Sequence, residues 1–210
     1  MSEENQPATP MLSSVATFVA GMSADDKRDI SDMLGQADIY ASTTWRRHDN
    51  FIQWMDYHDS RLVKHGCNKL GPLFMDPLFV KSEEDLQKPF AVKMFSVRES
   101  LQLRDLTIEA LNHSGYRDFC IEFLKHGSAR SVLTANQTVP CMANPDGGVR
   151  LMVCGLQAVG KLTHDGGREV VLRIKGGEYI FDPGRYAQWR EEVHNLLLRY
   201  GKQQLAHIEL

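Results

Sequence analysis

The chain has 210 residues, of which 42% are hydrophobic and 24% charged, a composition near the globular average and remote from that of disordered proteins. On the usual surface scaling a chain of this length removes about 70% of its unfolded surface from water, so one sizeable core forms without metal or disulfide staples. The formal charge of -3, from 24 basic and 27 acidic residues, supplies no broad attraction to nucleic acid or anionic lipid, and no nucleic-acid partner is expected.

Residues Met1–Pro10 carry Glu3, Glu4, Pro7 and Pro10 and are expected to form a disordered tail, residues 1–10, ahead of a single domain over 11–210. They lack the basic start and apolar run of a secretory signal, and the stretch Met11–Met22 is about half the length of a spanning helix. Cys67, Cys120, Cys141 and Cys154 form no CxxC pair and are expected to be free thiols in a reducing compartment. The expected location is therefore cytoplasmic, with signal-independent export or peripheral membrane association as alternatives.

Along the chain, Leu12, Val15, Phe18 and Val19 recur at steps of three and four and predict a short helix from Leu12 to Met22. Ser23 followed by Asp26 reads as an N-cap with a carboxylate in the first turn. The helix it opens has Ile30, Met33, Leu34, Ala37 and Tyr40 on its apolar face, turns Asp29, Asp32 and Gln36 outward, and runs to about Trp45. A third helix between Asp49 and His65 has the face Phe51, Trp54, Met55, His58 and Leu62. Lys69–Pro89, with Pro72, Pro77 and Pro89, reads as an extended or edge-strand connection that proline keeps out of any central ladder. Helices are predicted from Val97 to Asn112 and from Tyr116 to Lys125.

After Gly127 the apolar period changes from about 3.6 to 2. Ser131–Val139, Val149–Val159 and Glu169–Phe181 predict an antiparallel three-stranded meander with one face in the core, turned at Asn144–Gly148 and His164–Gly167. Asp182–Pro183 then opens a C-terminal helix carrying Tyr186, Trp189, Val193, Leu196, Leu197 and Tyr200. Helices, then sheet, then helix give an α+β class.

No motif identifies a reaction. There is no GxSxG elbow and no HExxH, and His58 and His65, seven apart on one helix, read as a solvated surface rather than a metal or catalytic pair. Gly147–Gly148, Gly166–Gly167 and Gly176–Gly177 read as hairpin glycines, since none opens a helix with a phosphate-binding lysine. Cys141, after Pro140 at a predicted strand end, stands at a location where a thiol can be accessible, with a free, partly buried packing group as the default reading and Cys120 and Cys154 as packing groups. In an alternative reading Cys141 is the nucleophile of an acyl transferase or hydrolase, with His164 or His113 as base. In another, Phe51, Trp54 and Tyr57 form the docking surface of a structural or assembly subunit.

Ser13–Val19 leading through Ser23–Tyr40 to Trp45 and Trp54-Met55-Asp56-Tyr57, with the closing Tyr186–Val193 and Ala206–Leu210, is similar to a group of bacterial proteins associated with the insect-gut virulence factor Evf of enterobacterial plant pathogens. The similarity covers about a third of the chain and leaves Gly66–Pro89 unmatched. It implies a non-enzymatic, virulence-associated interaction protein that carries a covalent fatty acyl (palmitoyl-type) group on one cysteine. That group would let a soluble fold meet a host membrane or an unknown protein partner. Cys141 is the position matched to that cysteine, and no other cofactor is implied.

Overall fold

In this computed structural model, residues 14–87, 93–94, 101–134, 137–201 and 206–209 are described. The expected tail at 1–10 and the start of the helix predicted from Val97 lie outside them.

The centre is an eight-stranded mixed sheet. Its strands are β1 Ser14–Phe18, β2 Cys67–Val80, β3 Lys93–Met94, β4 Ser131–Thr134, β5 Gln137–Ala143, β6 Val149–Leu162, β7 Arg168–Phe181 and β8 Ala206–Glu209. They lie in the order β3-β2-β7-β6-β5-β1-β8, with β4 also on β6. β6 and β7 pair antiparallel along their whole length, from Val149 opposite Phe181 to Leu162 opposite Arg168. β1 lies parallel to both β5 and β8.

Helices cover both faces. On one side are α1 Ala24–Thr44, α2 Phe51–Lys64, the single turn α5 Pro183–Tyr186 and α6 Arg190–Tyr200, and on the other are α3 Leu101–Asn112 and α4 Tyr116–His126. Val149, Leu151 and Val153 of β6 enter the first core with Trp54, Met33 and Tyr186. Met152, Cys154, Leu156 and Ala158 enter the second with Leu103 and Phe123. A Cβ at Gly155 would stand 2.8 Å from Met55 Sδ, and one at Gly160 2.5 Å from the Phe123 ring. The missing side chains are what let α2 and α4 seat directly on opposite faces of β6.

The predicted helices from Ser23 to His65 are borne out. Ser23 Oγ accepts the Asp26 N–H at 3.0 Å, and the buried residues of α2 are Phe51, Trp54, Met55, His58 and Leu62. The mixed α and β composition holds, but the three-stranded meander with one core face is corrected to a larger sheet buried on both faces. The helix expected at Leu12–Met22 is strand β1 over Ser14–Phe18, followed by a turn. A few apolar residues fit either period, and pairing on both edges with Ala16 and Phe18 buried favours the strand.

The connection expected at Lys69 onward is strand β2, inside the sheet between β7 and β3. Register shifts between Lys69 and Gly71 and between Met75 and Leu78 absorb the irregularity around its prolines. Gly176 and Gly177 are not hairpin glycines. They lie inside β7, where a Cβ on Gly176 would overlap the Val153 carbonyl. The C-terminal helix is broken, with residues 187–189 between α5 and α6.

Candidate functional site

Cys141 sits in β5 opposite Leu151 of β6 and beside Phe18 of β1. The strand runs on to Ala143, so Cys141 is two residues inside its end and its side chain faces the core beneath the helices. It is 0% exposed, which rules out the accessible location and extends the partly buried default to full burial. Its Sγ donates to the Val139 carbonyl at 3.3 Å. Cys67, in the same core, donates to Met33 Sδ at 3.5 Å.

Burial raises all four thiols, Cys120 and Cys154 to about 12 and Cys67 and Cys141 further. A thiol is a nucleophile as its thiolate, so this is the opposite of activation. His164 lies beyond the far end of β6, whose last residue, Leu162, is 11 residues along the strand from the Leu151 that faces Cys141. At the ordinary strand rise that is about 36 Å. His113 is exposed at the end of α3, on the opposite face of the sheet, with its Nδ1 2.8 Å from the Glu109 carbonyl oxygen. Neither histidine expected as a base is placed to serve Cys141.

The aromatic docking surface is also corrected. Phe51 and Trp54 are buried and Tyr57 is half-buried, because α2 packs against α1 on one side and against β2 and β7 beneath. Trp54 instead organises a buried polar cluster. Its Nε1 donates to Ser42 Oγ at 3.1 Å, His58 stacks on it with ring centroids 5.1 Å apart, and the Arg47 guanidinium lies 4.4 Å over the ring. His58 Nδ1 is 3.3 Å from Gln137 Nε2 and His58 Nε2 is 3.3 Å from Asp38 Oδ1. A Gln137 amide that donates to Nδ1 requires a ring whose Nδ1 carries no proton. Burial lowers the pKa of Arg47 and Asp38 opposes that shift.

His65 is buried too, so neither His58 nor His65 is a solvated helix residue. Its Nδ1 is 2.8 Å from the Arg61 carbonyl oxygen, its Nε2 3.0 Å from Gln36 Nε2, and its ring meets Trp189 edge-on. Sequence periodicity had put His58 on the buried face. It gave no sign of Asp38 or Gln137 as its partners, because 20 and 79 positions separate them from it. No group of three or more metal-ligating side chains is assembled among the described residues.

On the outside, α1 and the start of α6 enclose a groove of about 560 Å³ lined by Arg28, Asp32, Ala187, Arg190, Glu191 and His194. Arg190 grips the buried Asp29 with two contacts, Nε to Oδ1 at 3.0 Å and Nη2 to Oδ2 at 2.6 Å. This fork holds α6 against α1 and raises the Arg190 pKa. The sequence reading had turned Asp29 outward, and its partner lies 161 residues away, so no local pattern marks the groove.

No family model and no curated protein matches this sequence. Among solved structures, one described as the structure of the Evf virulence factor superposes with a TM-score of 0.45 at 10% identity, covering 94% of this chain and 83% of that one. The chain bears a weak resemblance to Evf. A score below 0.5 at that identity transfers no residue role from Evf to this chain.

Among the described residues no helix is long and apolar enough to cross a membrane.

Proposed function

We propose that this protein is a non-catalytic interaction protein that meets its partner through the face formed by α1 and α6. The observation that carries this reading is the placement of its reactive side chains. The four thiols and the Asp38–His58 pair lie in the core, while the charges of the groove, among them Arg190 clamped on Asp29, face outward. A fully buried Asp–His pair bound to Gln137 and flanked by Trp54 and Arg47 ties α1, α2 and β5 together, which is a structural task.

The virulence-associated role and the host-directed partner, whether protein or membrane, are carried over from the sequence resemblance as part of the same proposal. S-acylation of Cys141 belongs to it as well, under a geometric condition. A chain joined to a fully buried thiol lies inside the core beside Phe18 and Leu151, so acylation precedes or accompanies folding. If exposed instead, one acyl chain gives only marginal, reversible membrane binding, with an association constant on the order of 10⁴ M⁻¹.

Purified protein offered ester, thioester, phosphate, peptide and nucleotide substrates is expected to show no turnover above background. A turnover abolished by His58→Ala or by loss of one cysteine overturns the non-catalytic reading. Intact-mass analysis of protein from its native source tests the lipid. The proposal expects one acyl increment removed by hydroxylamine, and an unmodified mass rejects it.

A further inference from the structure

His65 closes α2 and touches three elements at once. Its backbone N–H donates to the Arg61 carbonyl at 3.0 Å, and its Nδ1 stands 2.8 Å from the same oxygen. A carbonyl only accepts, so Nδ1 carries a proton. In the neutral ring Nε2 is then the acceptor, and Gln36 Nε2 of α1, 3.0 Å away, donates to it. Gln36 is fully buried and its Oε1 has no hydrogen-bond partner, so the amide is anchored at its nitrogen end, on His65.

The third contact is Trp189, between α5 and α6. The two rings meet with centroids 5.0 Å apart and planes at 77°, and Lys64 Nζ lies 5.3 Å from the indole centroid. The Trp189 carbonyl accepts the Val193 N–H at 2.9 Å, which opens α6, and the Trp189 N–H donates to the Tyr186 carbonyl at 2.8 Å, which ties α6 to α5. The next residue, Arg190, grips Asp29 of α1. On the other side of His65, the Gly66 carbonyl accepts the N–H of Asp182, the N-cap of α5, at 3.0 Å. A neutral imidazole therefore sits where α1, α2 and the α5–α6 junction converge.

A second ring proton disrupts this arrangement. It goes on Nε2, which then points a donor at the donating amide of Gln36. The ring is 1% exposed, and a buried charge without an acceptor is costly. Of the charged groups acting on it, Arg61 and Lys64 of α2 repel an imidazolium and Glu192 of α6 attracts it, while α1 presents the neutral Gln36 and the junction the neutral Trp189. The seat that fits the neutral ring rejects the charged one.

We propose that His65 is a proton-operated latch. Neutral, it fastens α1 and α2 to the α5–α6 junction; protonated, it breaks from Gln36 and frees Trp189, so that the start of α6 loosens from α1. The latch opens in mild acid, below the ordinary histidine value of about 6.5, because burial favours the neutral ring. It is a property of the fold and does not depend on the α1–α6 face having a partner.

The test is an NMR titration of the full chain from pH 8 to pH 4 that follows the ring nitrogens of His65 and the indole N–H of Trp189, each assigned by its loss in His65→Gln and Trp189→Phe. Both signals are expected to move with one midpoint below about 6.5, together with the amides of residues 189–194, while the amides of β6 and β7 stay in place. His65→Gln is expected to abolish the Trp189 transition. In Gln36→Glu a carboxylate accepts from the protonated ring, so the His65 midpoint is expected to rise by about 1–3 pH units, and the Trp189 change with it. A Trp189 signal that stays still while His65 titrates shows that the Gln36 amide merely turns over to present Oε1, and overturns the latch. A Trp189 transition that persists in His65→Gln, or collapse of the whole spectrum at the His65 midpoint, overturns it as well. An unchanged midpoint in folded Gln36→Glu overturns the part given to Gln36, and if that variant does not fold, the wild-type and His65→Gln titrations decide alone.

Discussion

Replacing Asp38 with alanine leaves the Arg47 guanidinium and the His58 ring in the core with one partner fewer. Removing one member of a buried charged pair costs about 3–5 kcal/mol, because the remaining charge stays desolvated. Asp38→Ala is expected to lower the unfolding free energy from urea titration by that amount at an unchanged slope, whereas a loss below about 1 kcal/mol, the range of an exposed pair, contradicts the cluster. His65 gives a pH-dependent counterpart. Burial depresses its pKa, the Arg61 carbonyl and Glu192 of α6 pull it back up, and Lys64 and Arg61 push it down. As pH falls through about 6.5 the unfolded chain takes up this proton first, so the stability that His65 contributes is full above that value and is lost between it and the lower folded value. Urea midpoints are expected to fall from pH 8 to pH 5, with a shallower decline in His65→Gln. An equal decline in the variant removes His65 from the account. Neither histidine's surroundings were legible in the sequence, since Asp38, Gln36 and Gln137 stand on segments with no local link to them.

The long helices were legible because α1 and α2 repeat their apolar face over several turns and Ser23 caps the first one. β1 was not, because Val15 and Phe18 fit a helix face as readily as a strand, and only the neighbouring strands decide. β2 was hidden by its prolines, which the register shifts accommodate. Cys141 was misjudged for a related reason. Pro140 suggested a strand end, but Pro140 pairs with Thr17 inside the parallel ladder and the strand continues. Element packing is tested at Gly160, where a methyl group meets the Phe123 ring and forces α4 outward. Gly160→Ala is expected to cost about 1–3 kcal/mol and so lower Tm by several degrees. An unchanged Tm shows that α4 is not seated on β6 as described.

At the scale of the whole molecule, the expectation of one buried face failed because β6 is apolar on both parities. Val149, Leu151 and Val153 serve one core, and Met152, Cys154, Leu156 and Ala158 the other. A strand covered by helices on both sides reads as a near-continuous apolar run, and β6 does so. The same double cover encloses the four cysteines and separates the thiol chemistry of the chain from its charged exterior. That separation is the central claim, and counting reactive thiols tests it directly. With a small charged disulfide reagent at pH 8, unacylated protein is predicted to release no chromophore while folded and four equivalents once unfolded. One equivalent released rapidly from the folded protein and lost in Cys141→Ala contradicts the sealed core.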